Sequence, residues 1–195
     1  MMLKNLSRRL MLSAPLFLAS CSQAAERPTE ETKNQRPTSK ILVVYFTRSG
    51  NTKVIAGTIS RLLSADLFEI RAARPYPEDY EATVEQARLE TTRGDEPPLA
   101  ATIADLSAYE TIYLGFPVWG GTAPPVIRTF LRQHDLSGKT LYPLITHGGY
   151  GTGNSLDVLK SHAPNARHQA PFVMEADQER RTLTQIRTWL GTTER

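Results

Sequence analysis

The 195-residue chain is long enough for one domain with a sizeable hydrophobic core. Its 23 basic and 20 acidic side chains give a formal net charge of +3, and the three surplus charges are matched by Lys4, Arg8 and Arg9 in the first 20 residues, where no acid occurs. The remainder is electrically balanced and gives no support to nucleic-acid binding. A single cysteine, Cys21, excludes a disulfide within the chain and an iron–sulfur cluster, and the 4 histidines lack metal-site spacing.

Residues 1–20 are predicted to be an export signal. The three basic residues precede an apolar run over residues 10–19, which is too short to cross a bilayer core of ~30 Å. The sequence Leu18-Ala19-Ser20-Cys21 resembles a bacterial lipobox, which implies cleavage before Cys21 and attachment of lipid to it. Ser7-Arg8-Arg9 also resembles a twin-arginine signal, so ordinary secretion and twin-arginine export both stay open.

Residues 21–39 are polar, charged and proline-bearing, and they predict a flexible tether with an end-to-end distance of roughly 20–25 Å. With the lipid on Cys21, the tether predicts an exported lipoprotein anchored to a membrane on its periplasmic or extracellular side. A single globular domain is expected from residue 40 to residue 195.

The globular part begins with an apolar run over residues 41–46, which predicts a strand buried on both faces. Apolar residues at three- and four-residue spacing then predict a helix to residue 63, with Asn51 or Thr52 at the N-cap. The connecting loop is rich in hydroxyls, and the start of a helix attracts anions. A phosphate site is therefore predicted at Thr47, Arg48, Ser49, Gly50, Asn51 and Thr52.

This loop lacks the Gly-Lys-Ser/Thr ending of an ATP-binding P-loop and the glycine pattern of a dinucleotide site. It resembles the Thr/Ser-x-Thr/Ser-Gly-x-Thr loop of the flavodoxin family, in which hydroxyls and amides bind the monophosphate of FMN. The resemblance implies that FMN is the cofactor and that Arg48 occupies a variable position. The alternative is an ordinary strand-to-helix turn with good capping residues.

Strand-like and amphipathic stretches alternate along the rest of the chain, which predicts an α/β fold with a parallel sheet between two layers of helices. The resemblance implies the flavodoxin-like sandwich, with five strands in the order 2-1-3-4-5. Beyond the first pair, the predicted strands are residues 67–71, 112–116, 141–146 and 172–175, and the predicted helices are residues 80–91, 124–133, 155–162 and 178–190.

Ligands in such a sheet bind at the carboxyl ends of the strands, beside the point where the strand order reverses. The loops after the third and fourth strands combine glycines with an aromatic residue, a composition suited to the edge and face of a flat ring. They resemble the two isoalloxazine loops of a bacterial flavodoxin-like subfamily, although Gly120 stands where relatives often have a second aromatic residue. The implied flavin contacts are Pro117, Val118, Trp119, Gly120, Gly121, Thr146, His147, Gly148, Gly149, Tyr150 and Gly151.

Three functions remain open at this stage. The first is an FMN-binding redox protein that transfers electrons to a partner protein. The second is an FMN-dependent NAD(P)H:quinone-type oxidoreductase, whose partner is a quinone-like small molecule and for which no catalytic residue is assigned. The third is a lipid-anchored binding module that has lost the flavin.

Overall fold

The computed structural model describes residues 39–176 and 185–191. The chain divides into units of residues 1–34 and 35–195, and every described residue belongs to the second unit. The predicted signal, nearly all of the tether and the first part of the predicted 178–190 helix lie outside the described residues. Within the described ranges, no helix combines the length and the apolar character needed to cross a membrane.

A parallel sheet forms the middle layer and has the order β2-β1-β3-β4-β5, with β6 also paired to β4, which confirms the predicted 2-1-3-4-5 order. All of its pairings are parallel. The strands are β1 (Ile41–Tyr45), β2 (Asp66–Glu69), β3 (Thr111–Pro117), β4 (Thr140–His147), β5 (Arg167–His168) and β6 (Phe172–Glu175).

The fifth position of the sheet is occupied by two short strands, of which the sequence predicted only the second. Both lie along β4, with His168 opposite Leu141 and Phe172 opposite Leu144. The break between them contains Pro171, which has no N–H to donate to a ladder. A two-residue strand has no side-chain alternation, so β5 carried no sequence signal.

Helices cover both faces of the sheet. They are α1 (Asn51–Leu63), α2 (Tyr80–Arg93), α3 (Pro125–Gln133) and α4 (Ser155–His162), followed by helical residues 185–191. Alternate residues of β1 point to opposite faces: Leu42 and Val44 join the core beneath α3 and α4, whereas Val43 and Tyr45 join the core beneath α1 and residues 185–191. Helix α2 buries only Thr83 and Ala87.

The prediction that Asn51 or Thr52 caps α1 is wrong. The N-cap is Gly50, whose φ of 96° is left-handed and accessible to glycine at little steric cost. Its N–H donates to Thr47 Oγ1 at 3.1 Å, and its carbonyl accepts the N–H of Val54 at 3.1 Å. A glycine at this point lets the chain turn sharply from the strand into the helix, so Asn51 becomes the first helical residue.

Candidate functional site

A cavity of about 470 Å³ opens at the carboxyl ends of β1, β3 and β4. This volume lies within the range of small-molecule sites, roughly 300–1,000 Å³. The structure brings together all three loops that the sequence singled out. Predicted site residues on its wall are Thr47, Arg48, Ser49, Asn51, Thr52, Pro117, Val118, Trp119, Gly120, Thr146, His147 and Gly148.

Five other predicted site residues do not line the cavity: Gly50, Gly121, Gly149, Tyr150 and Gly151. The four glycines have positive φ angles and shape the loops behind the wall. The side chain of Tyr150 is 95% exposed, so in this conformation it covers no part of the cavity.

One face of α2 forms a wall that the sequence analysis did not assign to the site. Its lining residues recur at helical spacing of three and four, and they are Tyr80, Thr83, Val84, Ala87, Arg88, Thr91 and Thr92. The sequence did contain a signal for this wall, because small and hydroxyl-bearing residues alternate with charged ones along α2. It was weak because Tyr80 and Val84 are the only large side chains of apolar character among these lining residues, fewer than a core stripe has.

The first turn of α1 forms an anion cradle. Val54 donates the first i to i−4 hydrogen bond of the helix. The N–H groups that come before it, those of Asn51, Thr52 and Lys53, point out of the N-terminal end of the helix. The first turn contains no acidic residue. The helix dipole and these N–H groups together favour a negatively charged ligand at this end of the cavity.

A buried pair of hydroxyls joins this cradle to the end of β4. Thr52 Oγ1 lies 2.9 Å from Thr146 Oγ1, and the two side chains are 1% and 2% exposed. Gly115 on β3 lies beneath them, because a Cβ at this position would stand 3.0 Å from Thr52 Cγ2. Gly115, in the middle of β3, therefore leaves space for the side chain of Thr52, whose hydroxyl pairs with that of Thr146.

The loop after β3 is a tight turn from Trp119 to Thr122. The N–H of Trp119 donates to the carbonyl of Thr122 at 2.9 Å, and the N–H of Thr122 donates to the carbonyl of Trp119 at 3.1 Å. Gly120 and Gly121 between them have φ angles of 56° and 77°. A two-residue turn with positive φ at both positions favours glycine at each.

This turn is locked against the loop that follows β4. The carbonyl of Gly121 accepts the N–H of Asn154 at 2.9 Å. A Cβ at Gly153 would stand only 1.8 Å from that carbonyl oxygen, a distance that no packing can tolerate. The two glycine loops therefore contact each other backbone to backbone.

The indole of Trp119 is held by two other aromatic rings. Phe46 lies 5.2 Å away at an interplanar angle of 79°, and Tyr76 lies 4.9 Å away at 88°. Tyr76 donates its hydroxyl to a carboxylate oxygen of Glu90 at 2.8 Å. Burial, together with this carboxylate, raises the pKa of Tyr76 far above its ordinary value. The tyrosine stays neutral at physiological pH and keeps its hydrogen bond.

His147 ends β4 at the cavity wall with a defined ring orientation. Its Nδ1 accepts the N–H of Gly149 at 3.0 Å, so a neutral ring carries its proton on Nε2. The carbonyl of His147 accepts the N–H of Ala176 at 2.7 Å. Among the residues that the structure describes, no cluster of histidine, cysteine, aspartate or glutamate has the arrangement of a metal site.

The fold and site together define a doubly wound α/β protein with an anion cradle and two glycine loops around one cavity. A family model for flavodoxins matches residues 40–193, and the chain belongs to the flavodoxin family. A candidate flavoprotein from Bacteroides eggerthii is 30% identical, with a TM-score of 0.70 over 80% of this chain and 99% of that one. Another, from Bacteroides uniformis, is 26% identical, with a TM-score of 0.70 over 78% and 98%.

A flavoprotein from Lactobacillus acidophilus, solved in complex with FMN, is 20% identical. Its TM-score of 0.57, over 74% of this chain and 97% of that one, shows a shared fold. No curated protein matches the chain.

Proposed function

We propose that this protein binds FMN without a covalent bond and transfers electrons through it. The observation that carries the proposal is a single cavity with an anion cradle at one end and two glycine loops and an indole at the other. Membership of the flavodoxin family supports FMN as the group that fits it.

The chemistry of the cavity fits a flavin monophosphate. The cradle provides backbone N–H groups and the hydroxyls of Thr47 and Ser49 at a helix start, which suits a phosphate carrying up to two negative charges. Arg48 is turned aside: its guanidinium donates to the carbonyl of Glu78 at 3.1 Å and lies 5.3 Å from the ring centre of Tyr80. Backbone dipoles rather than this side chain would hold the phosphate.

The other end of the cavity suits a flat ring. Gly120 and Gly148 line it, and an added Cβ at either position would have no atom within 4 Å, so both leave open space facing the cavity. Trp119 supplies an aromatic wall and excludes water, while the proton on His147 Nε2 provides a hydrogen-bond donor. When bound, FMN supplies electron exchange in one- or two-electron steps, and the protein supplies binding, orientation and electrostatics.

The first experiment is an absorption spectrum of the purified full chain, with the released chromophore identified by mass. Bound FMN, or uptake of added FMN in a 1:1 complex, is the expected result. A colourless protein that takes up no FMN would refute the proposal and favour a flavin-free binding module.

A second measurement separates electron carrier from oxidoreductase. We propose the carrier, for which stepwise reduction resolves two one-electron steps and NADH or NADPH gives no turnover. Sustained oxidation of either nicotinamide with a quinone as acceptor would instead identify an NAD(P)H:quinone-type enzyme. Both measurements use the same preparation, so FMN content is known before either result is interpreted.

We further propose that the protein is exported and held by lipid on Cys21, facing a redox partner or a quinone at the membrane. The support is the lipobox-like sequence and the polar stretch that follows it. Expression of the full chain with Cys21→Ser should move the protein from the membrane fraction to the soluble fraction. A mature wild-type protein that begins at Cys21 and carries no acyl mass by mass spectrometry would contradict the lipid anchor.

A further inference from the structure

A second cavity, of about 580 Å³, lies beside the first at the carboxyl ends of β1 and β2. Trp119, Thr47 and Arg48 line both cavities and therefore lie between the two spaces. The second cavity lies on the side away from β4 and the His147 loop. Neither the family resemblance nor the FMN proposal assigns it a ligand.

The inner wall of the second cavity is aromatic and apolar. Trp119 contacts Phe46 and Tyr76 edge to face, at centroid distances of 5.2 and 4.9 Å. The rings of Phe46 and Tyr76 lie 6.0 Å apart and are tilted by 59°. Ile70 and Ala72 continue this wall and are 1% and 7% exposed. The hydroxyl of Tyr76 is bonded to Glu90, so the tyrosine contributes its ring. Such a wall favours a planar aromatic ligand.

Charged residues line the cavity in equal numbers of each sign. They are Arg48 and Arg71, and Glu69 and Glu78. Arg71 forms an ion pair with Glu69 at 2.7 Å, and the depressed pKa of Glu69, due first to its hydrogen bond from Arg71, keeps this carboxylate ionised. A ligand with a net charge of either sign would meet two groups of like charge on the same wall. The balance of charges therefore favours a neutral ligand.

Hydrogen-bond donors are nevertheless present. A guanidinium has five N–H donors. The contacts described above use Nη2 of Arg71, to Glu69, and Nη2 of Arg48, to the carbonyl of Glu78. The remaining N–H groups can donate to oxygen acceptors on the edge of a ligand.

We propose that the second cavity binds a neutral planar ring that carries carbonyl oxygens, which is the chemistry of a quinone. The aromatic wall takes the ring, and the arginines donate to its oxygens. A nicotinamide dinucleotide is disfavoured because its pyrophosphate would add negative charge to a wall on which two carboxylates already balance the two arginines. This inference goes beyond FMN binding: of the groups that it uses, Trp119 and Arg48 also line the first cavity, and Phe46, Ile70, Arg71, Ala72 and Tyr76 line only the second.

The test is calorimetric titration of the full-length protein, first saturated with FMN, with duroquinone as the probe. Every ring carbon of duroquinone outside its carbonyls is methylated, so it has no open position for addition of a thiol, including that of Cys21 in protein without the lipid. Tetramethylbenzoate is the charged comparison of similar shape. We expect duroquinone to bind and tetramethylbenzoate to bind more weakly. No binding of duroquinone, or equal binding of the benzoate, overturns the proposal.

A matched pair of variants locates the ligand. Ala100 lines the second cavity and its neighbour Ala101 does not, and both are exposed. Ala100→Phe should fill the space and abolish duroquinone binding, whereas Ala101→Phe should leave it unchanged. Binding that persists in Ala100→Phe overturns the assignment of the cavity. Both variants are expected to keep the FMN content of the wild type.

A second pair tests the donors and does not depend on filling the cavity. Arg71→Met should weaken duroquinone binding about tenfold, the effect of losing one charge-assisted hydrogen bond. Arg74→Met, at a nearby exposed position outside the lining, should have no effect. Equal affinities in the two variants would overturn the role of Arg71. A protein without FMN refutes the proposed function, while the variant pairs still decide whether the second cavity binds the quinone.

Discussion

Replacing Thr52 by valine removes half of the buried hydroxyl pair that connects the anion cradle to β4. Valine keeps the shape of threonine, so the packing against Gly115 is retained. The hydroxyl of Thr146, 2.9 Å away in the native protein, is left in a site that is only 2% exposed. The perturbation therefore isolates one hydrogen bond.

A buried hydroxyl left without its partner costs about 1–3 kcal/mol, against a total stability of about 5–15 kcal/mol for a domain. Thr146→Val should cost a similar amount for the same reason. The double variant Thr52→Val/Thr146→Val leaves neither hydroxyl unpaired, so its cost should be smaller than the sum of the two single costs. This non-additivity is the signature of a direct pair.

The assay is urea unfolding of all four proteins without FMN, followed by circular dichroism, so that cofactor affinity does not enter the free energy. Thr58→Val is a matched control on the same helix: Thr58 is 4% exposed and donates to the carbonyl of Val54 at 2.8 Å. That carbonyl also belongs to the helical hydrogen-bond ladder, so we expect a smaller loss. Additive costs for Thr52 and Thr146 would refute the reasoning.

Three further perturbations test the loops and the sheet. Gly153→Ala should lower both the unfolding free energy and FMN affinity, because its Cβ would stand 1.8 Å from a backbone oxygen, whereas Gly148→Ala has open space and should change stability little. Trp119→Ala should weaken FMN binding about tenfold by fluorescence titration, and the exposed Tyr150→Ala should not. Burial, and then a hydrogen bond to a carboxylate, raise the pKa of Tyr109 from 10.0 to about 12. The contribution of Tyr109 to the free energy of unfolding is full below pH 10 and is lost as pH rises towards 12. Tyr109→Phe should therefore make the free energy of unfolding depend less on pH over this window.

The alternation of strands and helices and the three ligand loops were predictable from local patterns in the sequence, whereas the strand order 2-1-3-4-5 was implied by the resemblance to the flavodoxin family. Residues 41–46 form an uninterrupted apolar run, and glycines cluster after the third and fourth strands. These patterns act over ten residues or fewer, and parallel topology then places all three loops at one edge of the sheet. The cap of α1 was predicted incorrectly because a side-chain rule was applied where the backbone needed a left-handed residue, Gly50.

Tertiary structure alone decided which of these residues share a wall. Thr52 and Thr146 are far apart in sequence, and nothing local indicates that their hydroxyls pair. Nothing local indicates that the loops of Gly121 and Gly153 touch. Nothing local indicates either that one face of α2 lines the cavity, because that face has no continuous apolar stripe. The second cavity also arises only when loops after β1, β2 and β3 meet around Trp119. A single sequence records the conformational preferences of each segment, whereas contacts between distant segments follow from the packing of the whole fold.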